Sequence, residues 1–243
     1  MAYKFANNAL KTYKPDMEDA AKRWEAYWNG DIIDRPIILA SCTRDGFEKK
    51  PFTTYYDRAF GDMDEIFDAA LFNASATYYG GDLVPTFWGS LGADEIAAYC
   101  GGSLEWNLES KMDTNWSHPF IEDWEKALPL KLYRENTFWK RLLELYGKAA
   151  KAFQGKILLF PIDFHTNMDL LLSARGAENL CTDLVDCPEY IDRAMEDVRE
   201  IFRQIWEEIK KAGRMDESGY WFDAYSPDKS VCVLACDFSC MIG

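Results

Sequence analysis

The sequence predicts an α/β fold built on a parallel sheet, and three observations predict it. Strand-length apolar runs occur at 36–42, 83–88, 157–162 and 231–237. Between them lie patterns with the three-to-four-residue spacing of amphipathic helices. The strands lead into polar or acidic residues, as strands do where a parallel sheet meets its connecting loops.

In chain order, Pro15-Asp16 opens a first helix, with Asp16 as N-cap, Asp19 as the capping-box acid, and Ala20, Trp24, Tyr27 and Trp28 along its apolar side. Gly30 closes it. Residues 36–42 then read as a buried strand running into the polar loop 43–46. Ile66, Phe67, Ala70, Leu71, Ala74 and Tyr78 mark a second helix stopped by Gly80-Gly81. Residues 82–88 are a short strand, followed by Gly89-Ser-Leu-Gly92 and a brief helix at 94–100. The stretch 101–134 has no sustained period and is rich in Trp, Asn, Ser and Pro, so it reads as an insertion with a hairpin or irregular loops. A helix at 135–154 leads to the strand 157–162, and a long helix runs from Pro188 to Lys211, its apolar stripe unbroken for five turns.

The stretch 157–176 carries the most chemistry. Its strand ends in Asp163, Phe164 and His165, and a short helix bearing Asp169 closes on Arg175-Gly176. Parallel α/β folds and βα barrels place their reacting groups at the carboxyl ends of strands. His165 is one of two histidines, the residue type that titrates nearest neutral pH. A polar group at a strand end also serves to cap the next helix, a task open to Thr166 and Asn167. His118, in Ser117-His-Pro119, reads as a loop residue without a role.

Composition narrows the function. The chain has 243 residues, 48% of them hydrophobic, ample for a core within one domain spanning 1–243. A net charge of −14 opposes binding to nucleic acid or an anionic membrane. No apolar run approaches the roughly 18 residues of a membrane span, and the first residues lack the apolar stretch of a secretory signal. Seven cysteines, an odd number without a CxxC, fit a reducing cytoplasm. Nine tryptophans and fifteen phenylalanines supply a core and, as a second reading, a lined pocket.

Four segments together carry a family resemblance: Trp24 and Trp28 with Asp31-Ile-Ile-Asp-Arg-Pro36; Tyr79-Gly-Gly-Asp-Leu-Val-Pro85 with Phe87-Trp88 and Gly92; residues 157–176 with Asp183-Leu-Val-Asp-Cys-Pro-Glu189; and Cys236-Asp-Phe-Ser-Cys-Met241. In order and spacing the chain resembles the uroporphyrinogen decarboxylase superfamily, within its decarboxylase-like branch, which also includes cobalamin-dependent methyltransferases. The resemblance implies a (β/α)8 TIM-type barrel whose cleft gathers Arg44, Asp82, Asp163, His165 and Asp237 at strand ends. The decarboxylases bind pyrrole NH groups with an aspartate at the end of the second strand, and Asp82 is its nearest match. Their arginine-rich loop is replaced here by Ser41-Cys-Thr-Arg-Asp-Gly46, with a single arginine beside an acid.

The resemblance therefore favours methyl transfer: a small methylated substrate, a corrinoid (cobalamin) as methyl carrier, a corrinoid protein as partner, and no tightly bound cofactor or metal. Asp82, His165 and Asp237 are the candidate catalytic groups; Arg44, Phe87, Trp88, Asp163, Trp221 and Ser239 are candidate substrate contacts. Cys232, Cys236 and Cys240 read as buried small residues rather than zinc ligands. Porphyrinogen decarboxylation centred on Asp82 is the alternative, and an inactive binding or scaffold domain the third reading. Only four strands are found where a barrel needs eight, so the chain is expected to be about the first half of a barrel, with exposed edges and apolar faces that pair it into a homodimer.

Overall fold

Helices and short strands alternate along most of the chain in a computed structural model that describes residues 8–108, 113–215, 220–221 and 225–226. A 3-10 turn, Asn8–Thr12, precedes helix α1, Met17–Trp28. Asp16 stands at its N-cap position but makes no capping bond, because its carboxylate is taken by the Lys14 ammonium at 2.8 Å. Gly30, at φ +74, follows the C-terminal end.

The next region differs from the expectation of a buried strand and one helix. Strand β1, Leu39–Thr43, is solvent-exposed along its whole length. It is also antiparallel, paired with β2, Thr77–Gly81, in the register Leu39↔Gly81 to Thr43↔Thr77. Between them lie α2, Tyr55–Phe60, and α3, Met63–Ser75. The helical stripe thus stops before Tyr78. The Thr77 hydroxyl donates to the Asn73 carbonyl at 2.7 Å as α3 ends, and Thr-Tyr-Tyr is a β-favouring run. Gly81 sits at φ +61 where a Cβ would meet the Ile38 carbonyl, so the close pairing needs glycine there.

β3, Thr86–Trp88, leads into α4, Glu95–Tyr99. The expected hairpin within 101–134 is present as β4, Glu105–Trp106, antiparallel to β5, Asn115–Trp116, followed by the single turn α5, Trp124–Ala127. α6, Thr137–Ala152, capped by the Asn136 side chain, brings the chain to β6, Leu158–Phe160. α7, Met168–Arg175, and the long α9, Pro188–Ala212, follow as the periodicity predicts, with a further helix, α8, Ala177–Asp186, between them. A last antiparallel pair joins β7, Tyr220–Trp221, to β8, Tyr225–Ser226. The expected strand 231–237 lies outside the described residues.

The fold is mixed α/β, and among the described residues no closed barrel forms. One strand pair is parallel, β3 with β6. The main core fills the space around α6 and α9: Trp139, Leu142, Leu145, Tyr146 and Ala149 face Ala194, Val198, Ile201, Ile205 and Ile209, all nearly fully buried. A smaller cluster of Leu10, Met17, Trp24, Val84 and Leu158 seats α1 beneath the start of the parallel pair. No helix among the described residues is long and apolar enough to cross a membrane.

Candidate functional site

The parallel register Thr86↔Leu158, Phe87↔Leu159, Trp88↔Phe160 brings two aromatic side chains to one carboxyl-terminal edge. The Trp88 and Phe160 rings lie 5.7 Å apart, and Tyr55 meets Trp88 edge-on at 5.7 Å. Beyond β6 the chain turns through Asp163 to His165, and His165 Nε2 lies 3.4 Å from Asp163 Oδ2. Phe164 between them is buried against Phe202 and Trp206. That anchor fixes the segment while both polar side chains keep about a quarter of their surface, 28% for Asp163 and 25% for His165. Burial pushes the Tyr55 phenol up to about 12; Arg58 opposes this, and the charge of Asp163 adds to it. Asp163 is therefore near enough to act electrostatically on the aromatic edge.

Beside that edge opens a cavity of about 590 Å3, lined by Tyr55, Arg58, Thr77, Phe87 and Trp88 together with residues of α3 and β1. It lies in the range of pockets that take small organic molecules. Arg58 is only 6% exposed. Its Nε donates to the Ser90 carbonyl at 2.6 Å, its Nη1 to the Thr53 carbonyl, and its guanidinium stacks over Tyr55 at 4.7 Å. Burial draws its pKa down, yet an arginine remains charged.

A second buried group supports this edge from behind. Glu95, wholly enclosed at the start of α4, accepts hydrogen bonds from Ser90 Oγ at 2.5 Å, the Leu91 amide at 3.0 Å and the Tyr99 hydroxyl at 2.5 Å. Burial pushes its carboxyl up to about 7 against those three bonds, and Asp163 adds repulsion. The Ser90–Gly92 turn is shaped around this carboxyl. Gly92 has φ +136, and a Cβ there would overlap the Asn115 side chain.

Asp82 lies elsewhere. It is completely buried, and its carboxylate is occupied by Arg35 (two guanidinium contacts, one at 3.1 Å), by Arg23 at 3.3 Å and by the Ile38 amide at 3.0 Å. Its own carbonyl accepts from Trp24 Nε1 at 2.8 Å. Burial raises this carboxyl's pKa, but Arg35, the Ile38 amide and the charge of Arg23 outweigh it and hold the pKa low. The residue is a clasp between α1, the 31–38 segment and β2, with no surface offered to a substrate.

Of the other expected site residues, Arg44 donates to the Thr77 carbonyl at 2.9 Å and braces the hairpin. Phe87 borders the cavity but packs mainly in the core against Phe67 and Phe153. Trp88 reaches the cavity. Trp221 lies in β7, where only the backbone is described, and Asp237 and Ser239 lie outside the described residues. Arg58 and Glu95 were not legible as site residues, although Glu95 left a trace: an acid opening the otherwise apolar run Ile96-Ala-Ala-Tyr-Cys100.

His118 pairs with Glu105 across the hairpin at 2.6 Å. Among the described residues no three His, Cys, Asp or Glu side chains are grouped to hold a metal ion. Cys42, Cys100, Cys181 and Cys187 are free thiols. No protein family, curated protein or solved structure matches the chain.

Proposed function

We propose that the chain is a small-molecule enzyme of barrel type, similar to the uroporphyrinogen decarboxylase superfamily, that moves a methyl group from a small methylated substrate to a corrinoid carried by a partner protein. The observation that supports this reading is the Asp163–His165 pair just past the carboxyl end of β6, beside a parallel neighbour whose last residue, Trp88, lines the cavity. Methyl removal from an aryl ether oxygen leaves a phenolate that needs a proton. His165, oriented by the Asp163 carboxylate, is the group to supply it. Trp88 and Tyr55, which line the cavity, offer aromatic faces against which the substrate body packs away from water, and Phe160, packed on Trp88, ties that wall to the strand leading into the Asp163–His165 segment.

A cavity of about 590 Å3 suits the small substrate. A corrinoid is far larger than this cavity, so the described residues do not fit it as a resident group, and the partner protein would present it. Asp82 is withdrawn from the catalytic set: its enclosed carboxylate also weighs against porphyrinogen decarboxylation, which asks that group to face the pyrrole nitrogens. The free thiols suit a cytoplasmic setting, and the outer edge of β1, without a strand partner among the described residues, suits a homodimer.

The test runs the transfer in reverse. Protein incubated with methylcobalamin and small phenol acceptors, hydroxybenzoates among them, is expected to produce the absorbance of the demethylated corrinoid. His165→Ala is expected to slow this about 100-fold. No demethylation with any acceptor, or a His165→Ala rate equal to that of the parent, overturns the reading; a protein that binds ligands yet leaves methylcobalamin intact is a binding domain.

A further inference from the structure

The cavity beside Trp88 carries more information than its size. Its walls are mainly apolar, with Ala69, Ala70, Val84 and Phe87 among them, so a ligand there rests its body on hydrocarbon. Three charged side chains also line it: Lys49, Arg58 and Asp113. Asp113 is already committed, because both its oxygens accept from the Tyr55 amide, at 2.9 and 3.0 Å.

Arg58 is committed on one side only. Nε and Nη1 are satisfied by the Ser90 and Thr53 carbonyls, whereas Nη2 makes no hydrogen bond among the described residues and approaches Asp113 no closer than 3.9 Å. The side chain is 8% exposed, so its remaining donor has little access to bulk water. Lys49, half-buried, forms no ion pair among the described residues. Two cations against one occupied carboxylate leave a surplus of a single positive charge in a chain whose net charge is −14. Local charge of the opposite sign to the whole molecule, set in an apolar wall, is how a pocket selects one ionic group.

We infer that this cavity binds a small monocarboxylate with an aromatic or branched apolar body, its carboxylate held between Arg58 Nη2 and Lys49. This rests on the cavity being the substrate chamber of the proposed enzyme, and it names the chemical class of the molecule that enters. An arginine with one unused Nη2 donor group, fixed in place by its other bonds, suits a carboxylate as a charge-assisted partner. A polyanion has no further cation to meet. A cation meets two like charges, with Asp113 already used.

Titration calorimetry on the whole protein tests this with 2-naphthylacetate, the amide 2-naphthylacetamide and the cation 2-(2-naphthyl)ethylamine. The carboxylate is expected to bind about tenfold or more tightly than the amide, since a charge-assisted hydrogen bond buried in a pocket gives discrimination of that order. The amine is expected not to bind. Lys49→Gln, on a partly exposed loop, is expected to weaken the carboxylate severalfold and leave the amide unchanged. Ala70→Phe, which fills the cavity, is expected to abolish carboxylate binding with the thermal melt retained.

Arg58→Lys, checked by circular dichroism, keeps the charge but loses the Nη2 donor held in place by the Ser90 and Thr53 bonds, and is expected to weaken binding as well. Equal affinity for carboxylate and amide, no binding at millimolar ligand, or binding untouched by both Lys49→Gln and Ala70→Phe overturns the inference. His165→Ala separates the two proposals. Carboxylate binding retained while demethylation is lost supports both, whereas demethylation unaffected by His165→Ala sinks the enzyme reading and leaves the carboxylate site standing.

Discussion

Asp82 and Glu95 are both buried carboxyls, and they respond to pH in opposite senses. Asp82 is held below the ordinary carboxylate range by Arg35 and Arg23, despite its burial. Its contribution to stability is present above the unfolded-state pKa and is lost as pH falls through the lower, folded one. Glu95, at about 7 against an ordinary 4.5, binds its proton more tightly in the folded chain. Its favourable term is complete below about pH 4.5 and declines as pH rises towards 7, by about 3 kcal/mol in all. Glu95→Gln is therefore expected to flatten the fall in thermal midpoint between pH 4.5 and 7, measured by calorimetry; an unchanged slope would show that Glu95 does not titrate there. Asp82→Asn removes the charge between two guanidiniums and is expected to cost about 3–5 kcal/mol in urea unfolding at neutral pH. A loss below 1 kcal/mol would contradict the clasp. The place of Asp163 and His165 just past a strand end was legible from the sequence because the apolar run stops there. Arg58 was not, because its meaning comes from Ser90, 32 residues away.

At the scale of elements, the long helices were readable and the strands only in part. α6 and α9 repeat their apolar residues over several turns, so the pattern outweighs any local exception. β1 misled because Ile37-Ile-Leu-Ala reads as core, while antiparallel pairing with β2 places that run in an exposed two-stranded sheet. α2 was missed although its capping box, Thr54 with Asp57, stands in the sequence; six residues are too few to show a period. The turn into α4 gives a direct test. Gly92→Ala is expected to destabilise the protein by more than about 1 kcal/mol, since it forces a Cβ onto Asn115 in a backbone region alanine avoids. Ile205→Ala, on the buried face of α9, is expected to cost about 2–5 kcal/mol through the cavity it leaves. Chemical denaturation measures both, and a neutral Gly92→Ala would show that the turn relaxes.

For the whole molecule, the surface around β1 sets the expected assembly. Ile32, Ile33, Leu39 and Phe52 are each at least 46% exposed. The acids Asp31, Asp34, Asp45 and Glu48 balance the bases Arg35, Arg44, Lys49 and Lys50 across residues 31–54, so this apolar segment is neutral within a strongly acidic chain. Two copies can approach there without the repulsion the rest of the surface imposes. Light scattering is expected to give a homodimer, shifted towards monomer by Leu39→Lys; a monomer at all concentrations rules this out. The seating of α1 also implies an order of events during synthesis. Trp24 bonds to Asp82, 58 residues later, and rests against Leu158, which is made later still. α1 therefore stays amphipathic and unpaired until β6 exists. Held by contacts so distant in sequence, it is among the first pieces to lift when the protein begins to unfold.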